Sequence, residues 1–251
     1  MFSATFPRSI ERLARGALSR PVQVMIGSRS AASGQVEQHV LVLKESDKVP
    51  RLLQLLEKFS VPAGQPARGH RGQVLIFAHE RGTVDSLFTT LSQHGYLSLA
   101  LHSGMAQSDR DYTIMDFRNR TRSVLIATSV ASRGLDVKDI KCVINYDVPT
   151  HYEDYVHRVG RTGRANTRGT AFTFITPSQE RYAHLLVKAL TLAKQTKRIL
   201  PALKKMEESF AAKIKAGTEK VYGNAGYDTA GFQFDAKEAD AVLARKKAQA
   251  E

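Results

Sequence analysis

Val124-Leu-Ile-Ala-Thr-Ser-Val-Ala-Ser-Arg-Gly-Leu-Asp136 is the stretch on which the architecture turns. Its first four residues are apolar without alternation, and Val74-Leu-Ile-Phe77 shows the same pattern earlier in the chain. Short uninterrupted apolar strands are buried on both faces, which predicts a parallel sheet covered by helices on each side. Directly behind the apolar run stand hydroxyls (Thr128, Ser129, Ser132), an arginine (Arg133), a glycine (Gly134) and a carboxylate (Asp136). Open parallel sheets bind ligands at the loops that follow the carboxyl ends of their strands. Chemistry is therefore expected just past each strand.

Outward from that stretch, strands are expected over 36–43, 74–78, 97–101, 123–127, 142–146 and 171–175. Helices are expected over 48–59, 83–94, 109–117, 152–159 and 180–193, giving an alternating α/β chain. Toward the N-terminus, Ile10, Leu13, Ala14 and Leu18 have helical spacing; Pro21 stops that helix, and a short strand follows at 22–26. Residues 28–34, Ser-Arg-Ser-Ala-Ala-Ser-Gly, read as a linker, and 61–72 as a Pro/Gly-rich loop. Beyond 197 the pattern changes. Residues 200–215 read as one more basic helix. Residues 217–234 are glycine-rich with Tyr222, Tyr227, Phe232 and Phe234, and 235–251 are charged and Ala-rich. The last two stretches are expected to be a weakly ordered tail. The expected divisions are 1–27, 28–34, 35–196 and 197–251. No internal repeat is present.

Composition narrows the partners. The 251 residues carry 37 Lys+Arg against 24 Asp+Glu, a net charge of +13. Such an excess concentrates anions, of which nucleic acid is the commonest large one, although a solvated basic surface has the same composition. The single cysteine, Cys142, excludes a disulfide framework and a cysteine zinc site and reads as a small apolar strand residue in a reducing compartment. No apolar run approaches the roughly 18 residues of a membrane span. Residues 1–33 are rich in Arg, Ser and Ala with one acid, Glu11, which is also the composition of a mitochondrial transit peptide.

Two further segments carry chemistry. His157-Arg-Val-Gly-Arg-Thr-Gly-Arg164 sets three arginines at spacings of three across a helix end and the following turn. Arginine forks match phosphate oxygens and stay charged at any working pH. Gly160 and Gly163 would let backbone approach a ligand closely. A structural arginine cluster would need carboxylates nearby, and Glu153 and Asp154 are the only local ones. Leu101-His-Ser-Gly-Met-Ala-Gln-Ser-Asp-Arg110 is strand, glycine turn and helix start, a place that attracts anions. His102 reads equally as a turn histidine. The 128–136 segment reads equally as an ordinary strand-to-helix turn capped by Ser and Asp.

Together these segments resemble the DEAD-box family of superfamily 2 RNA helicases, over residues 1 to about 194. Met1-Phe-Ser-Ala-Thr-Phe-Pro7 looks like the family's Ser-Ala-Thr motif with its flanks. His102-Ser-Gly with Gln107 and Arg110, the 128–136 segment and the 157–164 segment match the family's motifs in family order. The resemblance implies a RecA-like C-terminal domain over 35–196, preceded by a remnant of a first RecA-like domain at 1–27. Met1 is then expected to be an internal methionine. The transit-peptide reading falls away, because a targeting peptide has no reason to spell Ser-Ala-Thr-Phe-Pro.

By that likeness Arg161 and Arg164 reach the γ-phosphate of ATP, one of them as an arginine finger. Asp136 holds the ribose, and Gly134 allows close approach. Ser3, Thr5 and His157 couple the two domains. Gly104, Gln107, Arg110, Arg118, Thr128 and Ser129 lie on the RNA side, gripping backbone without base preference. Mg²⁺ is held by the first domain. Two departures stand out. Thr128-Ser129 replaces the more usual Thr-Asp. Phe117-Arg-Asn-Arg120 ends in arginine where the family has glycine, and Asn119 is expected to take the left-handed turn. The Thr-Ser variant and the Gly-Phe-x-Phe-Asp ending of 217–235 look like the spliceosomal branch-site subfamily, implying spliceosomal partners, a nuclear location (the cytoplasm being the alternative), a monomer, no secretion and no membrane.

The chain contains no Gly-x-x-x-x-Gly-Lys-Ser/Thr, no Asp-Glu-Ala-Asp and no Q-motif. It therefore lacks its own cradle for the β-phosphate and its own Mg²⁺ carboxylates, and negligible ATPase is expected from it alone. A non-catalytic RNA-binding adaptor is the competing reading, but an adaptor has no need of Arg161, Arg164 and Asp136. A DNA helicase half shares the architecture, and the form of the 157–164 segment argues against it.

Overall fold

The computed structural model describes residues 8–19, 22, 24, 34–61, 71–129, 137, 140–163 and 167–219. The described residues divide into two compact units, one holding 8–19 and the other those from 22 to 219. The described part of the first is a helix, Arg8–Ala17 (α1), with Leu13 exposed. Val22 and Val24, within the strand expected at 22–26, lie in exposed irregular backbone. The linker before Gly34, residues 62–70 of the expected loop, and the tail from 220 fall outside the described residues.

The second unit is built on one sheet. Its strands are Val36–Val42 (β1), Gln73–Ala78 (β2), Ser98–Leu101 (β3), Val124–Thr128 (β4), Ile140–Asn145 (β5) and Gly169–Ile175 (β6). They lie in the order β1-β6-β5-β2-β4-β3, and every pairing is parallel. The order follows from the connections. From central β2 the chain crosses to β3 and returns to β4; it then passes to the other side of β2 through β5 and β6. This is the parallel sheet expected from the apolar runs, and the RecA-like one that the resemblance implies.

Period-two alternation explains the two cores. Leu75, Phe77, Leu125 and Val143 face one layer, with Phe117 of helix Gln107–Arg118 (α4), Tyr155 and Val159 of helix Tyr152–Val159 (α5), Leu186 and Leu190 of helix Ala183–Leu192 (α6), and Leu203 of helix Pro201–Lys215 (α7). Val74, Ile76, Ile126 and Ile144 face the other, with Leu52, Leu56 and Phe59 of helix Lys48–Phe59 (α2) and Val84, Leu87 and Leu91 of helix Arg81–Gln93 (α3). Spacings of three and four along α2 and α3 gather these side chains onto one face. Each fully buried side chain of this size is worth about 1.5–3 kcal/mol over its exposed state.

The structure differs from the sequence reading at identifiable points. The helix expected over 180–193 begins as a tight 3₁₀ segment, Pro177–Tyr182, before α6. Thr176 and Gln179 close a capping box there, and Gln179 leaves helical geometry at φ −99°, ψ 25°. At the end of α4, Asn119 stays right-handed at φ −74°, and Arg120 takes the left-handed conformation at φ 60°. The turn survives at the family's glycine position itself. The side chain there costs about 1–2 kcal/mol relative to ordinary backbone.

Strand β1 forms an edge of the sheet, and unprotected edges invite pairing with other chains. Gln195 guards it: its amide donates to the Val36 carbonyl (2.7 Å) and accepts from the Gln38 N–H (2.9 Å). Arg198 adds an ion pair to Glu37 on the same strand.

Candidate functional site

The carboxyl ends of β3, β4, β2 and β5 lie side by side, with Leu101 opposite Ala127, Ala78 opposite Thr128, and Phe77 opposite Asn145. The segments after β3 and β4 leave the sheet at this edge, and Arg158 of the 157–164 segment reaches it from α5.

After β3, His102 organises the turn. Its Nε2 lies 3.1 Å from Asp85 Oδ1, and its Nδ1 accepts the Gly104 N–H at 3.1 Å. A ring that accepts at Nδ1 carries its proton on Nε2 and donates it to Asp85. The turn-histidine reading is thereby the structural one. A Cβ on Gly104 would come within 3.2 Å of that ring, so the position favours glycine. Gln107 and Arg110 then open α4. Arg110 NH1 donates to Gln107 Oε1 (3.0 Å), and Gln107 Nε2 donates to Asp111 (2.8 Å). Arg110 Nε is buried without a partner among the described residues. Arg118 stands apart from this group. It is exposed in the last turn of α4, eleven residues from Gln107 and thus about 16 Å away along the axis, at the sheet's opposite edge.

After β4, Thr128 is buried and Ser129 is half-buried. Arg158 of α5 donates from Nε to Ser129 Oγ at 2.7 Å. It also donates from NH1 to the Asp147 carbonyl at 2.9 Å and lies over the Phe77 ring at 5.2 Å. Burial pushes its pKa down to about 10, against the pull of Asp154 and Asp147, so it remains charged at neutral pH. The first arginine of the 157–164 segment is therefore a structural brace, whose more distant acid, Asp147, lies outside the segment.

Asp147, just past β5, is the hub. Its Oδ1 lies 3.3 Å from Lys48 Nζ, and its Oδ2 accepts the His79 N–H at 3.0 Å. Lys48 is 1 % exposed, also pairs with Glu45 at 3.0 Å and lies over the Tyr146 ring at 5.0 Å. One buried ionic cluster thus ties α2, β2, β5 and α5 beneath the site. The sequence reading missed it, because Lys48 and Asp147 are 99 residues apart. The available signal was an acid directly behind the strand expected over 142–146.

In the last turn of α5 His157 is exposed, and Arg161 is half-buried in the turn that follows. Thr162 is buried and donates to the Ile140 carbonyl. Gly163 has φ +69°, and a Cβ there would lie 2.4 Å from Val36 Cγ2. The close approach this glycine permits is to the start of β1. Ser3, Thr5, Gly134, Asp136 and Arg164 lie outside the described residues. No group of three His, Cys, Asp or Glu side chains among the described residues could hold a metal ion. No described helix is long and apolar enough to cross a membrane.

Known proteins share this arrangement. Residues 47–166 match the helicase conserved C-terminal domain. DEAD-box ATP-dependent RNA helicase 42 of Oryza sativa subsp. japonica is 48% identical over 93% of this chain, which spans 21% of that protein. Probable ATP-dependent RNA helicase DDX46 of Homo sapiens is 44% identical over 99% of this chain, which spans 23% of it. The chain thus spans about a fifth of the length of these curated relatives. The crystal structure of a DEAD box protein from the hyperthermophile Methanococcus jannaschii aligns with a TM-score of 0.56 at 30% identity, covering 76% of this chain and 48% of that one. With a parallel sheet whose carboxyl edge carries the segments after β3 and β4, the chain belongs to the DEAD-box RNA helicases and carries their C-terminal RecA-like domain.

Proposed function

We propose that this chain is the RNA-gripping, ATP-completing second half of an ATP-dependent RNA helicase. The observation that carries the reading is the 2.7 Å bond from Arg158 to Ser129, which joins the segment after β4 to the last turn of α5, directly before Arg161, on one brace. Through it, an RNA contact near Thr128 and Ser129 and a phosphate contact at Arg161 share one rigid support. Gly104, Gln107 and Arg110 extend the RNA side along β3. Contacts of this kind go to phosphate and sugar, so binding is without base preference.

ATP with Mg²⁺ supplies the phosphoanhydride whose hydrolysis drives the cycle. On this side Arg161 and Arg164 neutralise charge on the transferring phosphoryl group, Asp136 accepts from the ribose, and Gly134 keeps the backbone close. Ser3, Thr5 and His157 couple the halves. The parent protein acts in RNA processing, with pre-mRNA splicing in the nucleus and spliceosomal partners supported by the Thr128-Ser129 variant and the glycine–aromatic stretch after 217.

ATP turnover tests the division of labour. The 251-residue chain with saturating RNA is expected to hydrolyse ATP at background rate. The same chain joined to a first RecA-like domain from the rice relative is expected to show RNA-stimulated turnover. Stimulated turnover by the chain alone, or none from the joined polypeptide, would contradict the reading.

A further inference from the structure

We propose that a cleft at the opposite edge of the sheet binds an acidic peptide segment of a protein partner, anchored by an apolar side chain. The cleft is formed where α2 and α3 end and β2, β3 and β4 begin, and encloses about 330 Å³. Leu56, Val61, Tyr96 and Leu97 give it apolar walls. Leu97 is 48% exposed although it lies beside the strand core. The base is fixed: Ser60 and Ser123 hydroxyls meet at 2.9 Å, and Ser123 donates to the Val61 carbonyl at 2.6 Å.

Charge selects the occupant. Arg71 and Arg122 line the cleft, and neither has a carboxylate partner among the described residues. Lys141 lies across Gly72, beside Arg71; a Cβ on that glycine would be 2.5 Å from Lys141 Cγ. Glu57 is the single acid in the lining. Three helices, α2, α3 and α4, point their C-termini to this edge, each leaving roughly half a negative charge. Together with Glu57 they offset much of the cationic rim and leave a modest positive excess.

That balance disfavours nucleic acid. Phosphate backbones are held at helix N-termini and on open aromatic platforms. Among the described residues only helix C-termini face the cleft, and the Tyr96 ring lines a wall with its hydroxyl 3.5 Å from the Leu53 carbonyl. A few carboxylates in arginine forks around one buried apolar side chain fit both the charge and the volume. A partner seated here would leave the carboxyl edge clear for RNA.

The test selects a displayed library of random short peptides on the 251-residue chain. Affinity of the best-enriched synthetic peptide is then measured by fluorescence anisotropy. Enriched peptides are expected to place acids on both sides of an apolar residue. Arg71→Glu combined with Arg122→Glu should weaken that peptide at least about tenfold. Leu97→Ala, which leaves every charge in place, should weaken it roughly threefold or more. Affinity for a single-stranded RNA should stay unchanged in both variants. The proposal is overturned if no peptide is enriched or if both variants bind it as the parent does. It is also overturned if the double charge reversal loses RNA affinity as Arg110→Ala does, which would assign the cleft to nucleic acid.

Discussion

Asp147→Ala is expected to remove roughly 3–5 kcal/mol of stability, the usual loss when one partner of a buried ion pair is deleted. Lys48, 2% exposed at its side chain, would keep only Glu45, which is itself 71% exposed. The His79 N–H would lose its acceptor as well. Urea unfolding should show a lower midpoint with an unchanged slope. Lys48→Met added to Asp147→Ala should recover much of the loss, because replacing both charges with apolar groups avoids stranding either one. A loss below about 1 kcal/mol, or no recovery in the double variant, would mean that the cluster is solvated and does not brace the site.

Arg161→Ala is expected to lower ATP turnover by about 10³-fold or more in the polypeptide that joins this chain to a first RecA-like domain, within the range an arginine finger supplies. Nucleotide-free RNA affinity should change little if the residue acts at the phosphoryl group. Turnover within about tenfold of the parent would remove Arg161 from the transition state and leave it a turn residue.

Local signals account for what the sequence makes legible. Val74 to Phe77 and Val124 to Ala127 are apolar without alternation, and strands with both faces covered are the only place such runs fit a small α/β unit. The segments at 102–110 and 157–164 declare themselves by residue type and spacing. The less legible features depend on distant chain positions. Arg158 looks like one of three equivalent arginines until Ser129 and Asp147 are seen around it. Gly163 looks like a ligand-approach glycine until Val36 is found against it. Gln195 carries no motif at all, yet its amide protects the edge of β1. At Asn119 and Arg120 the sequence offers a residue that tolerates left-handed backbone and a residue that does not. The hydrogen bonds closing α4, from Asn119 N–H to Met115 and from Arg120 N–H to Phe117, keep Asn119 helical and pass the cost to Arg120.

The central claim is a sequence-independent grip on RNA backbone at the carboxyl edge of the sheet. It is tested most directly by titrating the chain and its Arg110→Ala variant with a single-stranded RNA across a range of salt concentrations. A backbone grip of this kind makes log K fall linearly with log salt, with a slope near −0.7 for each phosphate neutralised, and Arg110→Ala should make the slope shallower by about that amount. Salt-independent binding, no binding, or an identical slope in the variant would contradict it.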